Sequence, residues 1–368
     1  MLSRRALLAR GAAASTAASL ASFANPATGA QASAGPLGIP LLRFPRDFGA
    51  HPDLRTEWWY VTGHASSSGP GRREFGFQLT FFRTRIDAAQ SLNSVFAAKQ
   101  LVFAHAAVTD VQGQRLWHDQ RAARAGFGMA VADTEDTRLS LDGWTLQRQA
   151  NGVYVASLPA QDFELQLQFT TTQPLILQGQ QGLSRKGPDP RQASYYYSLP
   201  QLQAKGRITL RGQAFDVAGK AWLDHEWSEE ILHPAAIGWD WTGMNLDDGG
   251  ALTAFRLRNA EGGAVWDGGS YRSAQGELRI FKRGEVIFQP LRSWTSPLTK
   301  ASYPVEWALR TPAGLFRIKA VIDPQELDSR QSTGTVYWEG LSDLLDTSGR
   351  RVGRGYLEMT GYAAPLKL

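Results

Sequence analysis

The stretch Phe75-Gly76-Phe77-Gln78-Leu79-Thr80-Phe81 carries a large apolar side chain at every second position, with Gly, Gln and Thr between them. A period of two fits the pleat of a β-strand rather than the 3.6-residue turn of a helix, so one face should be buried and the other wetter. The same alternation returns at Phe163, Leu165, Leu167 and Phe169 against Glu164, Gln166 and Gln168, and again at Phe316, Ile318, Ala320 and Ile322 against Arg317, Lys319 and Val321. Turn-forming clusters punctuate the chain: Ser68-Gly69-Pro70-Gly71, Asp247-Asp248-Gly249-Gly250 and Glu261-Gly262-Gly263. Strands spaced by such turns point to antiparallel sandwiches or barrels. Helical periodicity is nearly absent, and only residues 87–99 and 228–232 read as short helices.

Length and composition agree with an all-β chain. The 368 residues suggest about two domains at roughly 150 residues each. Hydrophobic residues at 43% and charged residues at 20% are ordinary globular values, which excludes a disordered or fibrous chain. The excess lies in 12 Trp, 17 Phe and 10 Tyr beside 37 Gly, a mixture that suits strands joined by tight turns. There is no Cys, so disulfides, thiolate zinc sites and Cys nucleophiles are excluded. A faint repeat sets Trp59-Tyr60-Val61-Thr62-Gly63, with its return segment Leu79 to Arg83, against Trp239-Asp240-Trp241-Thr242-Gly243, with its return segment Leu252 to Arg256. It divides the chain near residues 227–238, giving expected domains at 35–228 and 229–368.

The formal charge of +5 would by itself suggest an anionic partner such as nucleic acid. Arg4, Arg5 and Arg10 supply three of those charges, and residues 1–34 hold no acidic residue and no Lys. Ser3-Arg4-Arg5-Ala6-Leu7-Leu8, the small-residue stretch after it and the Ala-x-Ala choices at Ala30 to Ala34 resemble a twin-arginine export signal. Residues 1–34 are therefore expected to be removed, which leaves a net +2 on the remainder and weakens any nucleic-acid reading. No later window offers the ~18 apolar residues of a membrane span. The expected location is periplasmic or secreted.

Five motifs then occur in order: Thr56-Glu57-Trp58-Trp59-Tyr60, Phe103-Ala104-His105-Ala106, Tyr195-Tyr196-Tyr197-Ser198, Trp222-Leu223-Asp224-His225-Glu226-Trp227 and Gly238-Trp239-Asp240-Trp241. As an ordered set they resemble the hydroxyneurosporene synthase family, also called AttH-like or carotenoid 1,2-hydratase-like, over about residues 40–365. The resemblance implies an all-β fold of two tandem lipocalin-like antiparallel β-barrels packed together, with an apolar isoprenoid, polyene or lipid-like ligand. Alkene hydration of the kind that it suggests requires no cofactor and no metal. Some members hydrate the terminal double bond of acyclic carotenoids; many others are exported proteins grouped with ABC-type export systems, which makes such a system an expected partner.

Adding water across a trisubstituted alkene needs an acid to protonate one carbon, a π surface to stabilise the tertiary cation, and a positioned water. A carboxyl group in an apolar pocket can supply the proton, because burial disfavours its ionised form. Asp224, His225, Glu226 and Trp227 are the expected catalytic cluster, with Asp224 and Glu226 on one face of a strand and His225 and Trp227 on the other. That geometry lets His225 and Trp227 enter a cavity together, and the resemblance implies that these two are the residues essential for hydration. Glu57, Trp58, Trp59, His105, Lys186, Tyr195, Tyr197, Trp239, Asp240 and Trp241 are the expected ligand-lining residues, with Lys186 on a loop over residues 182–191 that folds across the mouth.

Each feature also has a plain structural explanation. Glu57 to Trp59 can open a barrel strand around a structural Trp, and His105 can be a hydrogen-bonded core residue. The cluster at 224–227 can be an ion pair at the domain junction, Trp239 and Trp241 can be core, and the Lys186 loop can be solvated. The sequence contains no P-loop, no dinucleotide-binding Gly pattern, no His-Glu-x-x-His helix and no Gly-x-Ser-x-Gly elbow. His225, Glu226 and His233 match no standard metal spacing. The Tyr-x-Asp pair that family hydratases use has no counterpart at 239–258, where Asn245-Leu246-Asp247 comes nearest. Two functions remain: a carrier of an apolar molecule serving an export system, and a carotenoid 1,2-hydratase-like lyase.

Overall fold

The alternation read from the sequence becomes strand in the computed structural model, which describes residues 41–69 and 71–366. In the strand Phe163–Thr170 the side chains of Phe163, Leu165, Leu167 and Phe169 are buried while Gln166 and Gln168 are exposed. The described residues form two large antiparallel sheets, one within residues 56–230 and one within residues 238–359. Residues 1–34, and with them the expected export signal, lie outside the described part. No helix among the described residues is long and apolar enough to cross a membrane.

The first sheet is built around the strand Thr56–Ser67. It pairs on one side with Glu74–Arg85 and on the other with Gln213–Glu230, which in turn pairs with Ala193–Leu210. Strands at the two ends of this sheet pack against each other, so that it is nearly barrel-shaped. Its interior is filled by Trp59, Phe75, Phe77, Phe81, Trp144 and Phe169 among others, leaving it a packed core. In the second sheet Gly238–Leu246 pairs with Ala251–Arg258 and Arg351–Met359, around a core that includes Tyr303, Trp307 and Trp338. A further cluster of Tyr60, Trp222, Trp241, Phe255, Leu341 and Tyr356 lies where the two sheets meet. Each fully buried aromatic contributes roughly 2–3 kcal/mol from area removed from water.

That meeting of sheets changes the reading of Phe75 to Phe81. Gln78 and Thr80, on the face expected to be wetter, are buried, and Gln78 Nε2 donates to Thr80 Oγ1 at 2.6 Å. The second sheet covers this face so closely that a Cβ on Gly76 would stand 2.7 Å from the Tyr356 hydroxyl. Helix expectations also shrink. Only Asp87–Gln90 is α-helical within 87–99, and Gln213–Glu230 remains strand through residue 230 because Ser228 stays paired with Thr56.

The internal repeat is present with a different alignment. Arg83 stands across from Glu57, with Nε 2.8 Å from its carboxylate, and Arg256 stands across from Asp240 at 2.7 Å. The equivalent pairs are therefore Glu57-Trp58 and Asp240-Trp241, not Trp59 and Trp239. Both acids turn into their own sheet and both following Trp residues turn toward the other.

Candidate active site

Strand geometry separates residues 224–227 onto two faces, and register with neighbouring strands fixes what each face meets. Tyr60 and Ser198 lie directly across from Asp224, and Trp58 and Tyr196 across from Glu226; Trp59 and Tyr197 lie across from His225. Asp224 and Glu226 look toward the second sheet. His225 and Trp227 look into the first.

Between the sheets is a cavity of about 120 Å³, with apolar walls of Trp58, Tyr60, Phe82, Trp239, Trp241 and Phe255. Set into these walls are Asp224, Glu226, Glu339, Glu358 and Lys186. Asp224 accepts hydrogen bonds from Ser198 Oγ at 2.5 Å, Trp222 Nε1 at 2.6 Å and Tyr196 Oη at 2.7 Å. Burial outweighs those three bonds and pushes its carboxyl up to about 7. Glu358 is pushed up to about 8 by burial, with Asp224 and Glu226 adding repulsion. Glu339 lies directly across the strand pair from Glu358; burial and then the neighbouring Glu358 charge raise it well above the usual carboxylate range. The Tyr60 and Tyr337 hydroxyls face the Glu339 carboxyl and offset part of that rise.

Lys186 supplies the cavity's cation. Its Nζ is 2.8 Å from Glu226 Oε1 and stands 4.1 Å from the Phe255 ring centroid, while Ser194 Oγ also donates to Glu226. Lys186 is the residue of the 182–191 loop that lines the cavity. Trp239 and Trp241 line the cavity, and Trp241 Nε1 reaches the Tyr196 hydroxyl at 3.3 Å.

Several expected site residues lie elsewhere. His225 stacks on Trp59 at 4.4 Å, donates from Nε2 to Glu57 Oε1 at 2.9 Å and accepts from the Tyr197 hydroxyl at 3.0 Å. Burial lowers it to about 4, so it is a neutral imidazole. Trp227 stacks on His51 at 3.9 Å, and Tyr195 stacks in turn on Trp227. Glu57, Trp59, Tyr195, Tyr197, His225 and Trp227 thus belong to the first barrel's interior, on the far side of the strand from the cavity, because strand alternation cannot turn neighbours the same way. Asp240 is likewise turned into the second sheet, bonded to Arg256 Nε at 2.7 Å and the Tyr362 hydroxyl at 2.9 Å. His105 stands one layer back: its Nδ1 is 2.8 Å from the hydroxyl of Tyr337, which does line the cavity, and its Nε2 is 2.8 Å from Ser332 Oγ.

Among the described residues one trio has metal-ligand geometry, His51, Glu57 and His225. It differs from the His225, Glu226 and His233 combination weighed from the sequence. His51 Nδ1 and His225 Nε2 both bond Glu57 Oε1, at 2.7 and 2.9 Å, while Arg83 Nε donates to Oε2 at 2.8 Å. A metal would have to displace both imidazole protons beside a fixed guanidinium, so the trio fits a hydrogen-bonded lock better than a cation site. Burial pushes Glu57 up, but the bonds from His225 and His51 outweigh it and hold the carboxyl well below the usual range.

Sequence reasoning missed Tyr196, Glu339, Glu358 and His51. The first was passed over for its neighbours in a run of three Tyr. A lone acid inside a run of large apolar residues is the signal that marks the two Glu, in Tyr337-Trp338-Glu339 and Tyr356-Leu357-Glu358. His51 sits in a loop and gives no periodic signal.

Residues 38–362 match the AttH-like family. The crystal structure of a putative AttH from Nitrosomonas europaea is 47% identical, covers 88% of this chain and 97% of its own, and superposes with a TM-score of 0.81. Kievitone hydratase from Nectria haematococca shares the fold at a TM-score of 0.68 and 13% identity, over 89% of this chain and 94% of its own. The protein CghA, solved with Sch210972, follows at 0.51 and 11%, over 85% and 89%. No curated protein matches the sequence.

Proposed function

We propose, for a chain that belongs to the AttH-like family, that the cavity between its sheets adds water to a carbon–carbon double bond of an apolar, isoprenoid-type molecule without a cofactor. The observation that carries this reading is Asp224, a carboxyl that keeps its proton near neutrality on the wall of a Trp-lined cavity. Asp224 gives its proton to the less substituted alkene carbon, breaking the π bond and forming a C–H bond. The tertiary cation then lies against the π faces of Trp58, Trp239 and Trp241. Water forms the C–O bond and releases its proton to Glu226, which Lys186 and Ser194 hold in place; exchange with solvent returns both carboxyl groups to their starting states. A cavity meant only to shelter an apolar molecule gains nothing from Asp224, Glu339 and Glu358, whose burial is costly. The shared fold with a protein named as a hydratase supports the same class.

A second reading has its own observation. His225 and Trp227, the residues that matching family hydratases are thought to need, face away from the cavity. That favours a carrier of an apolar molecule, placed in the periplasm or outside the cell by the twin-arginine-like segment and serving an ABC-type export system. Incubating the purified chain with an acyclic polyene in ¹⁸O-labelled water separates the two. A product heavier by one labelled water supports the hydratase; tight binding with no labelled product supports the carrier and overturns the hydratase.

A further inference from the structure

Register places five loops and strand ends at one end of the first sheet. Thr56 pairs with Thr84 and with Ser228, Arg85 with Gln100, and Leu101 with Arg124. The start of Thr56–Ser67, the end of Glu74–Arg85, the end of Gln213–Glu230 and the loops over 86–99 and 125–129 therefore share that end. Partly exposed members of the cavity wall, Thr56, Trp58, Phe82 and Leu232, lie there as well, so the cavity opens on the same side.

The two loops carry the strongest exposed apolar feature of the described residues. Val95 is 75% exposed, Phe96 71% and Phe127 60%, with Leu92 and Met129 beside them in sequence and also exposed. Phe96 and Phe127 stack with centroids 5.7 Å apart and planes within 5°. Phe127 holds a left-handed backbone at φ 55°, between Gly126 and Gly128, both also at positive φ. A bulky residue in that region costs about 1–2 kcal/mol, so backbone strain is being spent to hold an aromatic ring in water. Nothing in the interior of the fold repays it.

Charge selects the occupant. Residues 88–100 and 120–132 contain Lys99, Arg121 and Arg124 and no acidic residue. Arg124 lies over the Phe127 ring at 4.2 Å, donates to the Phe96 carbonyl at 2.7 Å, and is paired with no carboxylate among the described residues. Arg121 is paired with Asp142, whose backbone N–H bonds the Met129 carbonyl, and the acids Asp87 and Glu229 are both bridged by Arg85. Exposed aromatic and aliphatic side chains beside the Arg124 guanidinium, which no carboxylate neutralises, match an anionic lipid surface, where rings enter the headgroup and acyl boundary and a guanidinium meets phosphate. We propose that this end of the first sheet docks on an anionic lipid leaflet through Phe96, Phe127, Val95 and Arg124, presenting the cavity mouth to the membrane. This surface stands independently of the chemistry assigned to the cavity.

The test is flotation of the purified chain with phosphatidylcholine vesicles, with and without phosphatidylglycerol. The wild type should float with the anionic vesicles, and Phe96→Ser with Phe127→Asn should lower the bound fraction at least about tenfold. Arg124→Gln should weaken binding to anionic vesicles alone, and added salt should do the same to the wild type. Asn accepts positive φ better than Phe, so the double variant should melt no lower than the wild type. A wild type that floats with neither vesicle, or a folded double variant that floats equally well, overturns the proposal. So does a double variant that changes only monomer–dimer balance in light scattering, since the patch would then bind a second copy.

Discussion

Asp224 and His225 are adjacent in sequence and open onto opposite faces of one strand, Asp224 onto the cavity between the sheets and His225 onto the packed interior of the first barrel. That single step of the pleat divides an apparently continuous Asp-His-Glu-Trp motif into a half for which we propose chemistry and a structural half.

For the chemical half, Asp224→Asn should leave the chain folded and still able to quench its cavity Trp on binding a polyene, while lowering hydration about 10²- to 10⁴-fold. Wild-type turnover should fall as pH rises through about 7, because the reaction uses the protonated carboxyl. A flat profile from pH 5 to 9 would contradict the assignment.

The same group makes a stability prediction. Between its ordinary value of 3.8 and about 7, the unfolded chain gives up a proton that folded Asp224 retains, so stability falls as pH rises across that window. Asp224→Asn removes this slope. Urea denaturation should show the variant gaining roughly 1–3 kcal/mol on the wild type between acidic and mildly alkaline pH.

The structural half responds to acid in the opposite sense. Glu57 is held below its ordinary value of 4.5, so its contribution is present above that value and is lost as pH falls below it. Glu57→Gln leaves Arg83 buried without its partner and should cost about 3–5 kcal/mol at neutral pH, with a flatter acid limb in denaturation. An unchanged midpoint would count against the lock formed by His51, Glu57, Arg83 and His225.

Lys186 and Glu226 should behave as one unit. Lys186→Met strands a buried carboxylate and should cost about 3–5 kcal/mol, whereas adding Glu226→Gln should recover part of that loss. Additive costs in the double-variant cycle would mean that the pair is not coupled.

Much of this was legible before the fold was known, and the remainder was not for definite reasons. Alternation in Phe163–Thr170 reads straight into buried and exposed faces because only one side of that strand is packed. The split between Asp224 and His225 follows from period two as well. Which face meets a cavity does not, since that depends on the second sheet laying Trp239, Trp241, Glu339 and Glu358 over the first. For the same reason Gln78 and Thr80 looked solvent-facing and are buried. The acid–arginine symmetry of Glu57 with Arg83 and Asp240 with Arg256 was hidden by Trp residues that align better by letter than by face.

The central claim, that chemistry belongs to the Asp224 face and architecture to the His225 face, is tested most directly by measuring turnover per folded molecule for Asp224→Asn and His225→Ala side by side. The account predicts a stable, inactive Asp224→Asn, and a His225→Ala that is about 2–4 kcal/mol less stable but within about tenfold of wild-type turnover once corrected for its folded fraction. A fully folded, inactive His225→Ala beside an active Asp224→Asn would contradict it.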